Sequence, residues 1–266
     1  MKKNGKSLVG LYVLFFFNGL MIMALFVLNI SANYEDSLYD RIIERVAKPE
    51  YSQEKNSMAL LQASYDLLHP RLVFFDGKGD HLGIRDRFFR SSDIQLLDGG
   101  ACGTHAHVLA RLLQKINIPV RIAQMECQKK YGCHIVIEAY INNKYMVMDP
   151  LFNLTFKNKN GTFASFDEVK NNWDYFTAQL PKDYDRMYSY EGVRYTNWDK
   201  IPVVMPVVKE IFRLFIKSEV EYISLRAYVL NLYKTYFIML SFLYMLLLLI
   251  TYMVYKRKNE ITVHIR

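Results

Sequence analysis

Apolar residues fall into two unbroken runs near the ends of the chain and into periodic patterns between them. Residues 8–30, LVGLYVLFFFNGLMIMALFVLNI, are 23 positions without a charge, and residues 236–255, YFIMLSFLYMLLLLITYMVY, are 20 more. A helix rises about 1.5 Å per residue, so about 20 apolar residues cross the hydrocarbon core of a bilayer. A buried core helix normally keeps a polar stripe over that length, and neither run has one. Both are therefore expected to span a membrane. The first exceeds the usual apolar core of about 7–15 residues in a cleaved signal peptide, so it is expected to stay as an anchor.

Between the runs the periodicity changes. Leu38, Ile42, Ile43 and Val46, then Met58, Leu61, Tyr65 and Leu68, recur at helical spacing and predict amphipathic helices over 34–47 and 52–68. Residues 71–98 carry scattered glycines and charges and read as loop with short strands. Val108, Leu109, Leu112, Leu113 and Ile116 form one apolar stripe, with Asn117 suited to a left-handed cap and Pro119 forbidding continuation. A helix over about 101–116 follows, with Cys102 in its first turn. VRIAQM (120–125), CHIVIEAYI (133–141) and KYMVMD (144–149) read as strands, the last two joined by an Asn142-Asn143 turn. Ser165-Phe-Asp-Glu168 is a capping box that opens another helix. Residues 206–235 set Val207, Val208, Ile211, Phe212 and Phe215 against Lys209, Glu210, Arg213 and Lys217. They predict an amphipathic juxtamembrane helix, lying on the bilayer or leading into it, the other reading being an ordinary packing helix.

Charge supplies the expected topology. Lys2, Lys3 and Lys6 precede the first run, and Lys256, Arg257 and Lys258 follow the second. Basic flanks stay in the cytoplasm, so 1–7 and 256–266 are expected to be cytoplasmic tails and 31–235 to lie outside, with the folded domain over 31–205. The tails hold 7 of the 34 basic residues and one of the 26 acidic ones. That leaves the middle with 27 against 25, a net of +2, so most of the overall +8 belongs to the tails. A nucleic-acid partner, which calls for a clustered basic face, is not expected. The expected partners are the lipid bilayer and a protein or peptide substrate.

Three cysteines, Cys102, Cys127 and Cys133, fall in the outer region. An odd number in an oxidising compartment suggests one bridge and one free thiol. Cys127 and Cys133 bracket QKKYG and are the candidate pair, the other reading being that all three are reduced. Either way Cys102 is the expected free thiol. It follows Gly99-Gly100-Ala101 at a helix start, where unpaired backbone N–H groups and the helix dipole stabilise a thiolate. A zinc site drawn from Cys102, His105, Cys127 and Cys133 matches no usual ligand spacing, and His105 and His107 stand two apart on a helix and point in different directions.

A thiol nucleophile needs a base, and the base needs an acceptor to orient it. A two-residue turn at 142–143 sets Val136 opposite Asp149 and His134 opposite Leu151, which makes His134 and Asp149 diagonal neighbours about 7–8 Å apart at the backbone. The face with His134, Val136, Glu138, Tyr140, Tyr145, Val147 and Asp149 is the decorated one; the other, with Ile135, Ile137, Ala139, Ile141, Met146 and Met148, is apolar. One buried face and one decorated face are what an active-site sheet packed on a core should show.

Over residues 95–152 these elements resemble the transglutaminase-like superfamily, cysteine enzymes related in design to papain-like proteases. GACGTHAHVLARLLQKINIPVR resembles the family's nucleophile helix, HIVIEAY its histidine strand, and KYMVMDP its Asp-Pro strand. The resemblance implies an α+β fold with the nucleophile helix packed on an antiparallel sheet, here flanked by two transmembrane helices. It implies Cys102 as nucleophile, His134 as general base and Asp149 as its orienting carboxylate, with no cofactor and no metal. Gln95 is a candidate oxyanion donor. Gly103, Val136 and Tyr145 stand where the family often has tryptophan, and the chain is far shorter than the calcium-binding, protein-crosslinking members. The implied activity is acyl chemistry on amides through a thioacyl intermediate, with water (peptidase or amidase) or an amine (transferase) as acceptor. The other reading is an idle domain of this type serving as a binding or assembly module.

Overall fold

The computed structural model describes residues 3–71 and 101–263, and Gln95 lies outside them. The described residues fall into two compact units, Met1–Asp36 with Asn231–Arg266, and Ser37–Leu230.

The first unit holds the apolar helices. Helix α1 runs Lys3–Val46, so the first apolar run and the amphipathic helix expected over 34–47 are continuous. Ser31-Ala-Asn33 between them contains no glycine or proline to stop it. The last helix, α8, runs Leu232–Val263. Both are long and apolar enough to cross a membrane. Phe16, Met23, Phe26, Phe242 and Met245 each leave 60% or more of their surface uncovered, a display compatible with a lipid surround. Within the unit Asn18 donates to Thr251 Oγ1 at 3.0 Å and to Leu14 O at 2.7 Å, and Asn231 donates to Asp36 Oδ1 at 3.3 Å. Tying an amide to a partner suits a surround that offers no water.

The second unit is α+β. Helix α2 (Gln53–Leu68) starts where Ser52 accepts the Lys55 N–H, and helix α3 (Cys102–Lys115) follows the undescribed segment. Five antiparallel strands come next: β1 (Val120–Cys127), β2 (Lys130–Ile141), β3 (Lys144–Asp149), β4 (Leu154–Thr155) and, later, β5 (Gly192–Arg194). Their order is β4-β3-β2-β1-β5. Asn142 and Asn143 take φ of 53° and 62°, the left-handed pair that a tight hairpin needs. The register runs as counted, from Ile141 opposite Lys144 to Ile137 opposite Met148. At α3's end Asn117 has φ 61°, Ile118 N–H donates to Leu113 O and Asn117 N–H to Gln114 O, the paired bonds of a left-handed helix stop.

Helices α2 and α3 cover the apolar face. Leu60, Leu61, Leu68, Leu109, Leu112 and Leu113 pack with Ile122, Ile137, Ala139 and Met148 into one buried core. Removing each such side chain from water is worth about 1.5–3 kcal/mol. The decorated face is covered as well. A second layer closes over it, made of α4 (Phe166–Asn171), α5 (Trp173–Phe176) and the aromatic segment beyond. Val136 and Val147 are buried there against Phe156, Phe166, Phe176, Tyr184, Tyr190 and Tyr195. The expected capping box is present, with Ser165 and Glu168 each holding the other's backbone N–H.

Two further expectations change. The Cys127–Cys133 stretch turns at Gln128-Lys129 (φ 50° and 64°), so Cys127 pairs with Lys130 and the strands run longer than read. The single helix expected over 206–235 is broken. Helix α6 spans Val204–Ile216, a 3₁₀ turn follows over Lys217–Tyr222, and α7 is one short turn, Leu225–Tyr228. On α6, Leu214 and Phe215 are 80% exposed, while Trp198 packs against Phe212 at 6.4 Å.

Candidate active site

Cys102 is the first helical residue of α3, with Ala101 as a cap that offers no side-chain bond. The first backbone N–H groups of a helix have no partner within it, and no capping side chain occupies them here. Cys102 is half-buried and is the free cysteine; Cys127 and Cys133 form a disulfide that ties the start of β2 to the end of β1.

His134 comes from β2 and Asp149 from the end of β3, and the hairpin puts them on one face. His134 Nε2 lies 2.6 Å from Asp149 Oδ2, with both side chains fully withdrawn from water. The carboxylate is itself fixed: Oδ1 accepts the Leu151 N–H at 3.1 Å, and Tyr184 donates to Oδ2 at 3.4 Å. Burial alone would lower the His134 pKa. The Asp149 charge and hydrogen bond outweigh that, the Cys102 sulfur adds to them, and the imidazole is held at about 9. Cys102 is therefore within electrostatic reach. Nδ1, the ring nitrogen that Asp149 does not use, is buried and has no full hydrogen bond among the described residues. Bonds of this kind are often long in a site without substrate.

Aromatic rings enclose the pair. Tyr188 stacks on His134 with centroids 4.2 Å apart and planes 9° from parallel, and Phe152 and Tyr184 complete the wall. Burial pushes the Tyr188 hydroxyl up, as do Cys102, Asp185 and Asp149. Excluding water in this way strengthens the Asp149–His134 attraction.

Of the residues singled out from the sequence, Cys102, His134 and Asp149 come together and Gln95 lies outside the described residues. Glu138 shares the face but has structural partners: it accepts from Tyr195 Oη and from the Phe166 N–H, and burial raises its pKa against those bonds. His107 is fully buried on α3, with Nε2 2.7 Å from Leu230 O. The acceptor there is a carbonyl, so Nε2 carries the proton. No group of three or more metal-ligating side chains occurs among the described residues. Sequence reading missed Tyr184 and Tyr188. The only signal was the density of tyrosines in DYDRMYSYEG, at 183–192. Comparison of the chain with protein families, with curated proteins and with solved structures finds no match.

Proposed function

We propose that the protein is a membrane-anchored cysteine enzyme of transglutaminase-like type that cleaves or transfers acyl groups at amide bonds. One observation carries the reading. A buried imidazole is bonded to a carboxylate through Nε2, its Nδ1 has no full hydrogen bond among the described residues, and a helix-start cysteine lies within reach. A histidine of purely structural use satisfies both nitrogens or stays neutral; this one is charged and has half its bonding left over.

The chemistry follows in order. The Cys102 proton rests on Nδ1 of His134, making the imidazolium that Asp149 holds and leaving the sulfur as the thiolate. The sulfur adds to an amide carbonyl, and the oxyanion forms beside the N–H groups at the start of α3. His134 returns the proton to the nitrogen as the C–N bond breaks, leaving a thioester on Cys102. Water or an amine, deprotonated by His134, then releases the acyl group. The aromatic wall keeps the imidazolium–carboxylate pair dry throughout.

The membrane reading rests on the two apolar helices and on the basic tails. A disulfide persists in an oxidising compartment, which favours residues 31–235 outside and both ends in the cytoplasm.

Iodoacetamide tests the site in the full-length protein in detergent. Cys102 should be alkylated near neutral pH without reductant, and His134→Ala should move that labelling to higher pH. A folded, metal-free protein whose Cys102 stays unlabelled would favour the idle binding module instead.

A further inference from the structure

Residues 223–230 are held against the nucleophile helix by side chains from three places. Ser224 Oγ accepts the Ile122 N–H at 3.0 Å. Thr196 Oγ1 accepts the Leu225 N–H at 3.0 Å and donates to Ile223 O at 2.6 Å. From α3 itself, Gln114 donates to Ala227 O at 2.8 Å and His107 to Leu230 O at 2.7 Å. So short a segment, tied five times, has little freedom; Ser224, Ala227 and Leu230 are buried in it and Arg226 is half-buried.

Arg226 Nη2 lies 3.9 Å from the point where a Cβ on Gly103 would stand, beside the first turn of α3 and next to Cys102. Among the described residues its guanidinium makes no ion pair and no hydrogen bond. Burial pushes its pKa down, and the one group acting the other way is Cys102. A guanidinium drawn from water and left without a counter-charge costs stability. Its planar fork of donors matches a carboxylate.

We propose that Arg226 forms a carboxylate-binding subsite beside Cys102, selecting amides that carry a carboxylate on the residue next to the carbonyl under attack. The proposal rests on the Cys102–His134–Asp149 reading and adds a substrate class to it. A carboxylate seated on Arg226 would place the neighbouring amide over the sulfur, so binding energy far from the bond being broken would orient it.

Two alkylating agents separate the two claims. Iodoacetate carries the carboxylate and iodoacetamide its neutral equivalent, and Cys102 is the free cysteine to be counted. The iodoacetate-to-iodoacetamide rate ratio should exceed that of free cysteine, and Arg226→Gln should lower it about tenfold, the value of one charge-assisted bond. A ratio unchanged by Arg226→Gln, with iodoacetamide still labelling, overturns the subsite and leaves the enzyme reading standing. Loss of iodoacetamide labelling in the wild type overturns both. A second arm needs no variant: N-acetylglycine should slow iodoacetamide labelling of Cys102, whereas N-acetylglycinamide should not. Equal protection by the two, or none by either, also rejects the subsite.

Discussion

His107 and His134 sit on opposite sides of the site, 1% and 0% exposed, and titrate in opposite directions. His107, in the helical layer, is pushed down to about 3. Burial is the main cause, the Leu230 carbonyl opposes it, and Arg226 and Arg111 add to it. His134, in the sheet beneath the aromatic layer, is held at about 9 because a carboxylate is bonded to it. Equal burial thus gives a neutral fastener in one place and a charged group in the other, and the partner decides which. The helical layer surrounds its imidazole with carbonyl and cations, which suits holding residues 223–230 in place. The aromatic layer gives its imidazole an acid and leaves a nitrogen over.

The sharpest way to break the contrast is Asp149→Asn, which removes the partner and leaves the burial. His134 should then behave like His107 and be neutral at pH 7. In the wild type His134 is raised from 6.5 to about 9, so its stabilising contribution is complete below pH 6.5 and is lost as pH climbs through 9. That alkaline loss, on the order of 3 kcal/mol in urea titrations, should vanish in Asp149→Asn. Amide turnover should fall on the order of 10³-fold at the same time. An alkaline loss of unchanged size would mean that Asp149 is not what charges the imidazole.

His107→Gln tests the other side. The glutamine keeps an N–H for Leu230 O but cannot take a proton. Because His107 is lowered to about 3, its contribution is complete above pH 6.5 and is lost as pH falls from there toward 3. Between those limits the wild type should lose on the order of 5 kcal/mol more than the variant. Urea midpoints at pH 7 and pH 3 measure the difference, and parallel falls for both proteins would show that His107 does not carry the acid sensitivity.

The two layers also differ in how far the sequence announces them. The helical layer is written in local signals: the stripe from Val108 to Ile116, the left-handed stop at Asn117, the Asn142-Asn143 turn and the resulting face parity. Each needs only a few neighbouring residues, so His134 and Asp149 could be put on one face before any coordinates, while the resemblance to the transglutaminase-like superfamily joined Cys102 to them. The aromatic layer is built from residues 152–195, mostly irregular chain whose shape is set by what it packs on. Tyr188 reaches His134 because Phe152, Tyr184 and Tyr190 fill the space around it, and no periodicity encodes that. The break after Ile216 is of the same kind. Amphipathic spacing favoured one long helix, but Thr196 takes the Leu225 N–H and His107, 123 positions away, takes the Leu230 carbonyl. Tertiary bonds outbid local propensity there, and Arg226 became visible only with them.

The smallest expected effect probes the ring that separates the charged imidazole from water. Tyr188 covers His134 face to face, and among the described residues its hydroxyl makes no hydrogen bond. Its contribution should therefore come from the ring alone, about 0.5–1.5 kcal/mol for such a pair, with some charge–π attraction while His134 is protonated. Tyr188→Phe keeps the ring and should match the wild type in urea midpoint and in Cys102 labelling rate at pH 7. Tyr188→Ala should lower the midpoint by about 1 kcal/mol, with the loss shrinking above pH 9, where His134 is neutral and the charge–π part is gone. A Tyr188→Phe protein as impaired as Tyr188→Ala would place the function in the hydroxyl, giving the aromatic layer a polar role in the chemistry and not merely the exclusion of water.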